Sequence, residues 1–152
     1  MSPARDVRQL ALDYLQQHHV LTLATDGPGG IWAAAVFYVN DGFTLYFLSA
    51  GHTRHAQNMQ ARPRVAAAIH EEYDAWREIK GIQLAGLAAL LSGAARATAE
   101  ALYRTRFPFL NQANPQLDAA LARINWYRLT PDCLYFIDNS QGLGHRDEVR
   151  LG

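Results

Sequence analysis

Cysteine, lysine and net charge are the scarce quantities in this chain. One cysteine, Cys133, excludes an internal disulfide framework, and a lone thiol cannot build a Cys-rich zinc site. Of 14 basic residues only Lys80 is lysine, and 14 acidic residues bring the formal charge to zero. Without a positive surplus there is nothing to drive counterion release from a nucleic acid, so that partner class is excluded. Long apolar runs are absent too. The least polar stretch, residues 81–95, carries Gln83 and falls short of the roughly 20 residues a bilayer span needs. The opening Met-Ser-Pro-Ala-Arg-Asp leads into an amphipathic pattern with acidic residues, unlike a signal or transit peptide. A cytoplasmic protein with no membrane partner is the expectation. What is present suits a globular core: 49% apolar and only 18% charged residues in 152, enough for one domain over 1–152.

Ser2 and Pro3 read as a helix cap and first helical residue, with Val7, Leu10, Ala11, Tyr14 and Leu15 at helical spacing and Asp6 in the first turn. The helix is expected to fray near His18 and His19. Strand-like runs over 19–25, 31–39 and 43–49 follow, broken by Asp26-Gly27-Pro28-Gly29-Gly30 and Asn40-Asp41-Gly42, which predicts an antiparallel meander. A short helix over 53–61 with Thr53 as cap precedes strands at 65–70 and 76–91. Helices at 94–107 and 115–124 lead to strand character over 126–138, around a Thr130-Pro131-Asp132 turn. The fold class is mainly β: a six-stranded antiparallel barrel with flanking helices, closed because closure removes exposed edges.

Chemistry has few places to sit. Ser49-Ala50-Gly51-His52-Thr53-Arg54-His55 runs from a strand end into a helix start and offers hydroxyls, a guanidinium and free N–H groups to a phosphate. Spacing alone favours a capped helix with solvated side chains. His52 and His55 lack the further donors a metal needs, so no metal site is assigned. Asp26-Gly27-Pro28-Gly29-Gly30 reads as a hairpin turn, and Cys133 as packing on an apolar strand. Ile31-Trp32-Ala33-Ala34-Ala35-Val36 is nearly bare on both faces: it admits either a flat ring system against the backbone or a crossing helix. Lys80 beside Gly81 is a donor next to a gap. The tail with His145, Arg146 and Asp147 is either a frayed end or a segment reaching onto another subunit, and the second is the expectation.

In this order, these pieces resemble the pyridoxamine 5′-phosphate oxidase-like FMN-binding split-barrel family. The likeness is carried by Trp32 to Phe37, Leu45-Tyr46-Phe47-Leu48-Ser49, Thr53-Arg54-His55-Ala56-Gln57-Asn58 and Arg62-Pro63-Arg64-Val65, then Trp76, Lys80-Gly81-Ile82-Gln83-Leu84-Ala85-Gly86, Trp126-Tyr127-Arg128-Leu129-Thr130-Pro131 and Phe136 with His145-Arg146-Asp147. The resemblance implies a split barrel binding FMN at a homodimer interface. Trp32, Ala33, Ala34 and Ala35 would lie along the isoalloxazine; Leu48, Ser49, Thr53 and Arg54 would hold the ribityl chain and phosphate. Lys80 and Gln83 would reach the ring, while Ile137, His145 and Arg146 would come from the partner subunit.

The departures are informative. His55 stands where the family has a lysine, Ile31 where the oxidase has a leading Arg, and Leu143 where it has a substrate-phosphate Arg. Losing those cations argues against oxidation of pyridoxamine phosphate itself. The resulting expectation is an FMN oxidoreductase exchanging hydride or electrons with a small-molecule substrate or nicotinamide reductant, with no assignable catalytic acid or base. The alternatives are a deazaflavin (F420) reductase, which would need more cations around Arg54, and a non-enzymatic flavin or haem carrier using His52, His55 or His145.

Overall fold

A two-residue Pro28-Gly29 turn joins β1 (Val20–Gly27) to β2 (Gly30–Asp41), with Gly30 at φ +97°, where a side chain would strain the backbone. The computed structural model describes residues 5–152, so the Ser2 cap and Pro3 lie outside the described residues. Asp6 caps α1 (Val7–Gln17) instead of sitting within its first turn: its carboxylate accepts the Gln9 amide at 3.0 Å. β3 (Thr44–Ser49), β4 (Arg64–His70), β5 (Lys80–Leu90) and β6 (Asn125–Asp138) complete the barrel. Asn125 to Leu129 of β6 pair with β3 while Tyr127 to Asp138 pair with β5, closing the ring β1-β2-β3-β6-β5-β4. The predicted six-stranded closed antiparallel barrel is the fold.

Two strand predictions need correction. The expected strand over 76–91 begins only at Lys80, because Trp76–Glu78 forms a tight helical turn. The expected turn at Thr130-Pro131-Asp132 is absent, and β6 runs straight through. Pro131 is tolerated there because it faces Gly86 at a register shift, where it owes no ladder hydrogen bond. A Cβ on Gly86 would stand 2.1 Å from the Thr130 carbonyl oxygen, so the bulge depends on glycine.

Alternation sorts the side chains. Leu21, Leu23, Val65, Ile69, Ile82, Leu84, Leu129 and Phe136 point into the barrel, where Ala11, Tyr14 and Leu15 of α1 join them. A second core lies outside: Val39, Leu91 and Trp126 meet Ala99 and Tyr103 of α3 (Gly93–Arg106) and Leu121 of α4 (Pro115–Arg123). Arg106 ends α3 by donating to the carbonyls of Leu15 and His18 and to Asn40 Oδ1 at 2.6 Å, closing the carbonyl end of α1. The two later helices therefore cover one wall of the barrel. No helix among the described residues is long and apolar enough to cross a membrane.

The tail is ordered within its own chain. It does not depend on another subunit for its order: β7 (Arg146–Glu148) pairs with Tyr135, Phe136 and Ile137 of its own β6, whose edge β3 leaves free. Val149 is buried and its amide donates to the Leu134 carbonyl at 2.8 Å. Arg5 bonds Asp138 at 2.6 Å and Asp147 at 2.8 Å, tying the two ends of the chain together.

Candidate functional site

On the outer face of the wall opposite α3 and α4, register aligns Ala33, Ala24, Ala66, Ala85 and Cys133 across five strands. The next row out is Ala35, Thr22, Ala68, Gln83 and Tyr135. At about 4.8 Å per strand, the alanine row spans roughly 19 Å with scarcely any side chain standing above the backbone. Ala33, Ala35 and Ala66 are exposed, so no helix among the described residues covers them. Of the two sequence readings of the alanine run, the crossing helix is thus not supplied by the described residues. Sequence reasoning missed Ala24, Ala66 and Ala85, although the run Ala66-Ala67-Ala68 carried the same signal as Ala33-Ala34-Ala35.

At one end of this wall stands Arg54, the first residue of α2 (Arg54–Ala61). Thr53 caps the helix, accepting the Ala56 amide at 3.2 Å and donating to the Ala50 carbonyl at 2.8 Å. The Arg54 guanidinium lies 4.3 Å from the Trp32 ring centroid and donates to the Gly29 carbonyl at 2.9 Å. A Cβ at position 29 would stand 2.8 Å from Arg54 Nη2, so a side chain there would make the guanidinium shift. Gly27 has a similar duty. Its missing Cβ leaves room for buried Asn58, which donates to Thr25 Oγ1 at 3.0 Å and seats α2 on the hairpin. The glycine-rich turn is thus a docking surface for α2.

Other predicted residues separate. Ser49 is buried and hydrogen-bonded to His55 Nε2, with Thr53 Oγ1 3.3 Å from the same nitrogen. Burial pushes the His55 imidazole below its usual pKa. Ser49 and His55 thus brace the β3–α2 connection. Leu48 faces the other way, into a cavity beneath α3 and α4, and its side chain does not join Arg54. Lys80, Gln83 and Ile137 do converge: with His70 and Gly81 they line one cleft of about 140 Å³ on the outer wall. Arg146 stacks 4.3 Å from the Tyr135 centroid, beside the Gln83 row, and His145 Nε2 lies 3.0 Å from Asp147 Oδ2. Among the described residues, no three His, Cys, Asp or Glu side chains gather closely enough for a metal ion.

The sequence profile of the pyridoxamine 5′-phosphate oxidase family matches residues 8–138, which contain the whole barrel. The chain belongs to the pyridoxamine 5′-phosphate oxidase family. A relative in this group, a UPF0306 protein of Photorhabdus laumondii, is 39% identical over 102 residues, 66% of this chain and 71% of its own. Among solved structures, HutZ, the haem storage protein of Vibrio cholerae, superposes with a TM-score of 0.69 at 18% identity over 84% of this chain and 92% of its own. An FAD-binding protein of Mesorhizobium loti gives 0.61 at 18% identity, over 82% and 90%. At such identities the likeness is one of fold. Leu143, 79% exposed, offers no cation on the tail loop.

Proposed function

We propose that this protein is a homodimeric FMN flavoprotein acting as an oxidoreductase, with the bare alanine wall as its cofactor floor. The observation that carries this reading is the five-strand row of small side chains, left open by the chain's own helices and flanked by Arg54. The residues present fit the group. A flat ring system needs close backbone approach, which Ala33, Ala34 and Ala35 permit, and a phosphate needs a donor such as Arg54. FMN, when bound, supplies hydride and single-electron chemistry.

The chain's own residues supply placement. Trp32 and the Gly29 carbonyl hold Arg54 at the hairpin, so its charge is positioned before any ligand arrives. Thr53 organises the free amides of α2 beside it. Lys80 and Gln83 present an ammonium and an amide from the cleft they share, suited to the polar edge of the ring. A second copy of the chain would cover the wall, which otherwise leaves a row of methyl groups in water.

A second reading is haem carriage without turnover. It is favoured by His70, an exposed imidazole on the lip of the Lys80–Gln83 cleft. His55 is not available for that role, being buried against Ser49. One spectrum separates the two: after incubation with FMN or haemin and desalting, retained flavin bands support the first reading and a Soret band the second. Bleaching of the flavin bands by anaerobic NADPH then distinguishes an enzyme from a carrier. A protein retaining neither ligand overturns both.

A further inference from the structure

Between the barrel and its two outer helices lies a cavity of about 220 Å³. Phe37 of β2 and Leu48 of β3 form its barrel side, Tyr103 and Phe107 come from the α3 end, and Phe109 and Leu117 close it from the following segment. The one hydroxyl in this lining, on Tyr103, donates to the Phe37 carbonyl, so no unpaired polar group faces the space. We infer that this cavity is a binding site for a small, uncharged molecule carrying an aromatic ring.

Three observations define that ligand. A lining without free donors or acceptors gives water no partners, and Leu/Ile/Phe cavities of about 150 Å³ bind benzene. The space is therefore large enough for one ring with a short substituent and too small for a helix. A peptide would also leave its backbone groups unpaired there. The aromatic walls stand at steep angles: Phe107 meets Phe37 at 78°, Phe109 at 52° and Tyr103 at 47°. Rings so arranged offer edges and faces together, the geometry aromatic pairs prefer. Phe37 and Phe109, each 59% exposed, flank the mouth, so a solute reaches the cavity without unfolding of the helices.

The test uses the full chain without added FMN, with methyl-labelled leucines followed by NMR during titration with toluene and, separately, with benzylammonium. Expected are saturable shifts, one toluene per chain, in Leu110, Leu117 and Leu121 but not in Leu21 or Leu23, with benzylammonium at least tenfold weaker. Leu121→Phe should fill the cavity and weaken toluene at least tenfold. Leu117→Phe, at a half-buried position, gives the same result where Leu121→Phe disturbs folding. Unsaturable shifts, equal binding of benzylammonium, or affinity unchanged in Leu117→Phe overturns the inference. So does an apparent Kd that rises with protein concentration, because a second copy would then be the occupant.

Discussion

Arg54 lies over Trp32, its guanidinium 4.3 Å from the ring centroid, while the same group donates to the Gly29 carbonyl. The cation is thus held by the β1–β2 hairpin rather than loose in solvent. Arg54→Ala is expected to weaken FMN binding by about 1.5–3 kcal/mol, the range for a lost charge-assisted hydrogen bond, or roughly 10- to 150-fold in Kd. Quenching of flavin fluorescence measures it, and an unchanged Kd would place the phosphate elsewhere.

Ala66 sits mid-row on the open wall, exposed and flanked by Ala24 and Ala85. Ala66→Glu should leave the monomer's stability within about 0.5 kcal/mol, yet sedimentation velocity should show it monomeric and the parent protein as the proposed dimer. Flavin retention should fall with it. A variant that remains dimeric would locate the subunit contact on another face.

Burial lowers the His55 pKa, so the folded protein resists protonation there. As pH falls below about 6.5 the unfolded chain takes up that proton first, and stability declines until the lowered native value is passed. His55→Gln removes this titration while keeping an amide beside Ser49. Urea denaturation between about pH 7 and 5 should show a shallower loss for the variant; parallel curves would refute the role of the imidazole.

For Asp138, burial pushes the carboxyl upward, but hydrogen bonds from Ser140 and the Arg5 guanidinium outweigh it and the pKa is lowered. Its contribution is therefore complete above the ordinary aspartate range near 4 and vanishes as pH falls through the native value. Asp138→Asn should be less stable than the parent at neutral pH, with the gap closing under acid conditions. Amide exchange at Val149, anchored one strand away, should accelerate in the same variant at neutral pH.

Local chemistry determined much of this molecule directly. The glycine turns, the Thr53 cap and the alternation of apolar residues in β1, β3 and β4 are set by neighbours a few residues apart, and the barrel followed from them together with the family resemblance. The tertiary structure decided what depends on register. Ala24, Ala66 and Ala85 become one floor only when three strands align, and Lys80 meets Ile137 only because β5 pairs with β6. The same holds for Pro131, which looks like a turn until Gly86 is placed opposite, and for the tail, whose partner strand lies in its own chain. Pairing across a sheet joins residues tens of positions apart, and no periodicity along the chain encodes which of them will face each other.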